Sequence, residues 1–398
     1  MRVALVPSAF APAVGGVEVF TAEVAGGLGA AGHEVEVWTS WHGAQGQPSR
    51  DLLSGTRVHR FDFPMPRASV RALAVWPWLA VLALLRLLVV ARRFRPDVIN
   101  VHCFSGNGVY AAVVARLLRI PLVVSLHGET VMDEQDIYEH SAALRLGLSK
   151  ALTQATAVTA CSQFVLDDAV KRFDLCPDRG TVLLNAVRED AEGSVDPPLF
   201  DLPYDQYFVG VGRLTPKKGF DLLVNAFSQV PEPFGLVLVG TGREEPKLVK
   251  LVSLLGLQER VHFTGVLRGD QLRSVVGHAR ALVMPSRIEP FGIVALDAWR
   301  EGTALVATEH GGPSEFVNHG RDGLLVDPNT PSLAEALCTL AADGDLAVGL
   351  GQAGRLRLRE FSWTRVTTTL LTMYGLQPVN CESRADVRTK GRNADDPH

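Results

Sequence analysis

The chain has no strong excess of either charge. Its 398 residues carry a formal net charge of −4, which argues against a general nucleic-acid binder. Cysteine is scarce: five residues, Cys103, Cys161, Cys176, Cys338 and Cys381, with no C-x-x-C pair. That pattern suggests neither a zinc site nor a disulfide framework, and a reducing cytoplasm is the expectation. The N-terminus lacks the basic start, apolar stretch and small-residue cleavage site of a signal peptide, and opens directly as a buried strand, Arg2–Pro7. No G-x-G-x-x-G follows that strand, so a dinucleotide cofactor is not the first reading. The only D-x-D, Asp343-Gly344-Asp345, falls in a helical region near the C-terminus. It reads as a surface turn, and no metal or other cofactor is expected. No short-period repeat is evident.

What remains is a globular composition, 47% hydrophobic and 21% charged, long enough for two domains. Short apolar runs alternate with helical patterns, the signature of βα units and parallel sheets. Strands are predicted near 2–7, 34–39, 97–101, 121–126 and 156–160. After the Pro- and acid-rich stretch from Arg188 to Pro203 the pattern restarts, with strands near 206–212, 235–239, 261–264, 281–284 and 304–307. The fold class is therefore α/β, with a nucleotide-type, Rossmann-like doubly wound domain at 1–190 and another at 204–360. A long helical stretch near 332–375 follows, and residues 378–398 read as a disordered tail.

The most informative segment is Ser286-Arg287-Ile288-Glu289-Pro290-Phe291-Gly292-Ile293-Val294-Ala295-Leu296-Asp297. A turn flanked by Pro and Gly leads into a helix whose free amides and positive dipole end suit a phosphate. Glu289 falls in the turn, and Asp297 is expected about two turns into the helix on the same face. One carboxylate can face a sugar hydroxyl and the other a ribose diol, with Phe291, Gly292, Ile293 and Val294 between them at a diphosphate. Upstream, Gly15-Gly16 separates the first strand from its helix and lets the backbone approach a ligand at the sheet edge. His127, in Ser125-Leu126-His127-Gly128-Glu129, ends a strand at the same edge. In the second half Gly212-Arg213-Leu214-Thr215-Pro216-Lys217-Lys218-Gly219 follows a strand. Arg offers a fork of donors and Lys a compact charge, a pair able to neutralise a departing diphosphate.

These landmarks, with Gly240-Thr241-Gly242, Phe263–Arg268, Gly311–Glu315 and Asp322–Val326, resemble the retaining glycosyltransferases of the GT-B fold, family 4. The resemblance spans roughly residues 1–375. It implies two Rossmann-like domains facing a cleft, and a helix at 361–377 crossing back to the first domain. It implies sugar transfer with retention from an NDP-sugar, UDP- or GDP-linked, to a hydroxyl of a carbohydrate, lipid-linked or small-molecule acceptor, without a metal. Carried over residue by residue, Arg213 and Lys218 bind the diphosphate, Glu289 holds the donor sugar and His127 lines the reacting face. Gly15, Gly16, Gly240 and Gly242 border the donor, and Val266 to Arg268 are candidate base contacts. Two departures stand out: Asp297 replaces the usual second Glu, and Ala186 follows Asn185 where the family usually has Gly.

The stretch Ala72–Ala91 carries one charge, Arg86. Pro77 and the βα pattern that resumes at Pro96 argue against a membrane span. Trp76, Trp78 and the flanking Arg67, Arg71, Arg92, Arg93 and Arg95 fit an interfacial helix on the inner face of the plasma membrane, with residues 67–95 in contact. A core helix with solvated arginines at its ends is the other reading. Two further functional classes stay open, a GT-B sugar-nucleotide epimerase and a non-catalytic scaffold that binds a nucleotide sugar.

Overall fold

The computed structural model describes residues 1–13, 15–41, 47–53, 55–66, 70–133, 137–188 and 204–375. The tail at 378–398 and most of the stretch between Arg188 and Pro203 lie outside them. The first half runs β1 (Arg2–Pro7), α1 (Gly16–Ala30), β2 (Glu34–Ser40), β3 (Arg50–Leu53), β4 (Thr56–Phe61), α2 (Val70–Phe94) and β5 (Val98–His102). It continues with α3 (Gly106–Leu118), β6 (Leu122–Leu126), α4 (Ile137–His140), α5 (Ala142–Gln154), β7 (Ala157–Ala160), α6 (Gln163–Phe173) and β8 (Gly180–Val182). The second half runs β9 (Tyr207–Val211), α7 (Phe220–Phe227), β10 (Gly235–Val239), α8 (Glu245–Leu254), β11 (Val261–Gly265), α9 (Gly269–Gly277) and β12 (Ala281–Met284). Then come α10 (Ile293–Glu301), β13 (Ala304–Thr308), α11 (Pro313–Phe316), β14 (Leu324–Val326), α12 (Thr330–Ala342), α13 (Gly344–Arg357) and α14 (Trp363–Tyr374).

The central strands are near-continuous aliphatic runs, such as Val98–His102, Leu122–Leu126 and Gly235–Val239, buried along their whole length. Strands of that kind need helices on both faces, and parallel pairing with helical crossovers supplies them. The first sheet has the order β3-β4-β2-β1-β5-β6-β7-β8 and the second β11-β10-β9-β12-β13-β14. Every pair is parallel except β3 with β4. In each sheet the order reverses once, between β1 and β5 and between β9 and β12. A doubly wound sheet opens its crevice at that point, beyond the carboxyl ends of the strands. The loops after β1, β5, β9 and β12 therefore line crevices, and these are the loops that carry Gly15-Gly16, Cys103, Arg213–Lys218 and Ser286–Phe291.

Four strands escape the sequence pattern. β3 and β4 form an edge hairpin in which Arg57, His59 and Arg60 interrupt the apolar alternation. Arg60 is nevertheless buried, its guanidinium donating to Pro48 O and Ala11 O. β8 and β14 are three residues each, too short for periodicity to register.

The helical stretch near 332–375 is broken rather than continuous. Asp343 is the N-cap of α13, accepting from the Leu346 amide at 2.8 Å. Its D-x-D is thus an exposed helix junction, with Asp345 in the first turn, so the expected surface position holds and the turn is a helix start. α14 then lies against α1 of the first half. Its Val366, Leu370 and Met373 share an apolar cluster with Phe20, Val24 and Leu28. Tyr374 Oη donates to the buried Asn100 Oδ1 at 2.8 Å. Ala186 has no positive φ, so the missing glycine costs nothing in this turn.

Candidate functional site

The loop after β12 carries Glu289, which is buried to 5% exposure. Its Oε2 accepts from Lys218 Nζ at 2.6 Å and from Ser286 Oγ at 2.8 Å. Its amide donates to His310 O, and its carbonyl accepts from the Gly312 amide at 2.8 Å. The carboxylate is thus fixed from both backbone and side chain, pointing at the loop that follows β9. Lys218 is held in the short 3-10 turn Pro216–Lys218, closed by Gly219 in the left-handed region. Adjacency of β9 and β12 in the sheet is what brings these residues, distant in sequence, into one ion pair.

Gly311 has φ +116, and a Cβ there would lie 2.1 Å from Glu289 O. Gly311→Ala is expected to destabilise the fold by about 2–3 kcal/mol, from backbone strain plus the clash. Thermal unfolding should show it, and the clash falls on Glu289, which carries the buried carboxylate.

α10 begins behind Gly292, which sits at φ +86 as its N-cap. The first-turn amides of Ile293 and Val294 are open, as at any helix start. Phe291 is different: its ring is buried to 2% exposure and stacks on Phe316 at 4.8 Å. Its side chain belongs to the core, and only its backbone can reach a donor. Asp297 lies about one turn into α10 rather than two, because the helix starts at Ile293. It pairs with Arg300 at 3.0 Å, and burial pushes its carboxyl up to about 6, with Arg300 opposing and Glu301 reinforcing the rise.

Across the cleft, His127 ends β6 and touches His102, which ends β5, through Nε2 and Nδ1 at 3.2 Å. Burial lowers the His127 pKa to about 4 and that of His102 well below the usual range, so both rings are neutral near pH 7. Neither can serve as a cation. Phe20 stands edge-on to His127 at 4.8 Å. Glu129 is the residue that sequence reasoning passed over. Half-buried behind the loop, it accepts from the Phe104 amide at 2.6 Å and the His127 amide at 2.7 Å. It locks together the two strand ends that carry His102 and His127. Its place two residues beyond a strand-end histidine was the only signal available.

The remaining candidates fall into place less directly. Arg213 is exposed in the loop after β9. Its charge is felt at the Cys103 thiol across the cleft, together with those of Glu129 and Glu18. Gly15 is the extended N-cap of α1, and a Cβ at Gly16 would meet nothing within 4 Å, so the backbone there is open. At Gly240 and Gly242 a Cβ would run into Gly212 O and Leu214 O. Close packing of two loops explains those glycines by itself. Val266 and Arg268 are exposed beside β11. Among the described residues, no group of three or more His, Cys, Asp or Glu side chains could hold a metal ion.

Several contacts join the halves at the cleft. Gly128, at φ +92, lies so close to Pro290 that a Cβ would sit 2.2 Å from its ring, which puts the His127 loop directly against the Glu289 loop. Lys217 Nζ donates to Val131 O at 3.1 Å and Asp133 O at 2.6 Å, giving that extra cation a bridging role. Glu315 accepts the Gln163 and Phe164 amides and so caps α6 from the other half. The result is a cleft with a neutral histidine on one wall and, on the other, a carboxylate–ammonium pair beside an open helix start. Such walls suit a polyhydroxylated, anionic ligand.

Comparison with known proteins agrees with that geometry. The profile of the family described as Glycosyltransferase Family 4 matches residues 14–191, and that of Glycosyl transferases group 1 matches residues 203–357. A D-inositol 3-phosphate glycosyltransferase of Salinispora tropica is 28% identical, over 94% of this chain and 83% of its own. Sucrose-phosphate synthase from Thermosynechococcus elongatus has the same fold, with a TM-score of 0.77 at 23% identity, covering 94% of this chain and 98% of its own. The Anabaena protein HepE in complex with UDP-glucose superposes with a TM-score of 0.73 at 20% identity, over 94% and 98%. With both halves matched in order and two parallel-sheet domains meeting at the cleft, the chain belongs to the group 1 (family 4) glycosyltransferases and has the GT-B fold.

Proposed function

We propose that this glycosyltransferase moves a sugar from a nucleoside-diphosphate donor to an acceptor hydroxyl, with retention at the anomeric carbon. The observation that carries the reading is the Glu289–Lys218 pair at 2.6 Å, set against the His127 loop and beside the start of α10. A diphosphate entering there meets Lys218, Arg213 and the amides of Gly292 to Val294, which stabilise the charge that grows as the sugar departs. Glu289, already holding Lys218, accepts hydrogen bonds from sugar hydroxyls. Neutral His127 lines the face where the new bond forms. The anomeric C–O bond to the diphosphate breaks, the acceptor oxygen bonds to the same face, and its proton passes to the leaving phosphate oxygen. No enzyme nucleophile is needed on this route. The positive charge at the diphosphate comes from Arg213, Lys218 and the helix start, and on that ground we propose that transfer does not need a divalent metal. HepE is described in complex with UDP-glucose, which favours a UDP-sugar as the first donor to try.

The test is a thermal-shift panel of UDP-, GDP-, ADP- and TDP-sugars with and without EDTA, followed by NMR of the product anomer. Stabilisation by one donor that survives EDTA, with a retained anomer, supports the reading. Donor binding with no NDP release and no transfer to any acceptor indicates a scaffold. An inverted anomer overturns the mechanism.

Asp297 gives a pH prediction. Its carboxyl titrates at about 6 in the folded chain against 3.8 unperturbed. A folded pKa above the unfolded one means that ionisation costs stability. The cost is absent below about pH 4 and complete above about pH 6. A ribose diol needs the ionised acceptor, so donor affinity is expected to fall as pH drops through 6. Asp297→Asn should flatten that step in a calorimetric titration.

A further inference from the structure

The length and composition of Ala74–Phe94 in α2 would suit a membrane span, with mean hydropathy 2.2, yet only 22% of that segment is buried. One face is part of the core: Ala83, Leu87, Val90, Ala91 and Phe94 are buried. The opposite face is bare. Trp78 is 79% exposed, Leu82 47%, Leu85 54% and Val89 47%. Their i, i+3/i+4, i+7 spacing aligns them in one stripe, about 17 Å long at helical rise. Trp76, by contrast, turns inward, its Nε1 donating to Pro64 O at 2.9 Å, so Trp78 alone of the pair faces out.

The fold adds a feature that the helix sequence does not contain. Asp97 N donates to Arg2 O, Ile99 N to Pro121 O and Thr156 N to Leu122 O, so the starts of β5, β6 and β7 lie side by side. Two of the helices that feed those strands end in cations, Arg92 and Arg93 in α2, with Arg95 just beyond, and Arg116 in α3, with Arg119 just beyond; α5 carries Lys150 before its last turn. Arg116, Arg119 and Lys150 line one cavity of about 730 Å³ at this edge. α2 itself contains no acidic residue, and Asp97 at the edge is engaged by the Arg2 amide at 2.7 Å.

We propose that the α2 stripe and this cationic edge together form one docking surface for an anionic lipid bilayer. The helix lies in the plane of the interface, its aliphatic stripe and indole sunk among the acyl chains and its arginines among headgroup phosphates. Charge selects the occupant. A cationic rim around an apolar stripe matches anionic lipid, whereas a second copy would present the same sign. α2 starts at the edge of the sheet that borders the cleft and runs away from it, so docking brings the cleft mouth beside the lipid. The surface is separate from the donor-binding residues.

The test is flotation of the full chain with phosphatidylcholine vesicles, with and without phosphatidylglycerol, at low and high salt. Three proteins are compared: wild type, Trp78→Ser/Leu85→Gln, and Arg92→Glu/Arg93→Glu/Arg119→Glu. These side chains are exposed, so melting temperatures should match. Expected are binding to anionic vesicles that weakens with salt, and a loss of about tenfold or more in partitioning for each variant. Donor-driven NDP release without vesicles should be unchanged, which separates this surface from the proposed chemistry. Absence of wild-type binding, or binding that neither variant weakens, overturns the proposal. Equal binding to neutral vesicles removes the cationic edge from it. Concentration-dependent dimers that Trp78→Ser/Leu85→Gln dissolves, without vesicle binding, would assign the face to a second copy.

Discussion

Replacing Glu289 with Gln is expected to lower kcat by about 10²–10³-fold while leaving affinity for the free nucleoside diphosphate intact or raised. The carboxylate is nearly fully buried and shares one oxygen between Lys218 at 2.6 Å and Ser286 at 2.8 Å. The amide keeps the shape but loses the charge, so Lys218 is freed to turn fully toward the diphosphate. Ground-state binding of the nucleotide then survives or improves. The sugar ring, however, loses its charged acceptor as the transition state forms, and losses of that size follow when one preorganised electrostatic partner is removed. Glu289→Ala should do the same to kcat and also cost about 1–3 kcal/mol of stability without ligand, since it leaves a half-buried ammonium unpaired. Steady-state NDP release with calorimetric binding of NDP and NDP-sugar reads both effects. If Glu289→Gln weakened free NDP as much as it slowed turnover, the carboxylate would be acting on the nucleotide rather than the sugar, and the assignment of roles would be wrong.

Removing the cations is expected to have the opposite signature. Lys218→Met and Arg213→Ala should each reduce kcat/KM by about 10²–10³-fold and weaken free NDP as well, because in the proposed mechanism both charges face the group that leaves. Arg213→Lys should recover little, since a point charge does not reproduce a planar fork of donors. The two substitutions together should cost less than the product of the single effects, because they act on one diphosphate. Lys218→Met has an additional consequence. It leaves the buried Glu289 carboxylate with Ser286 as its remaining side-chain donor, so the unliganded protein should melt lower than Arg213→Ala, whose side chain is exposed. Equal NDP affinity in wild type and both variants would remove these residues from the diphosphate site.

Much of the site was legible as chemistry. Glu289, Lys218, Arg213 and His127 stand out because carboxylate, ammonium, guanidinium and imidazole appear where apolar strands end, and an open α/β sheet puts ligands there. Periodicity also predicted the central strands, since only a run buried on both faces is apolar at every position. What failed to register failed for physical reasons. β4 hides behind Arg57, His59 and Arg60, which meet Glu36, Pro48 O and Ala11 O only in the folded chain, Arg60 Nε staying without a hydrogen bond. Phe291 looked like a donor contact because it lies between two carboxylates, but its ring had a better place against Phe316. Lys217, without a role in the linear pattern, acquires one when Val131 and Asp133 of the other half come within reach. Glu129 could not be told from an ordinary acid until the amides of Phe104 and His127 converged on it.

By itself, then, the sequence determined the βα alternation, the two restarting halves and the charged and polar residue types at the strand ends, because local burial and strand-end chemistry are written in short windows. The tertiary structure decided which distant groups share a site. Strand order put β9 beside β12, and so Lys218 against Glu289. The approach of Gly128 to Pro290 set the histidine wall against the carboxylate loop. It also decided which face of α2 stays bare and where the cations of three helices gather. Register between strands and packing between domains are long-range quantities, fixed by the free energy of the whole core rather than by any window of the chain.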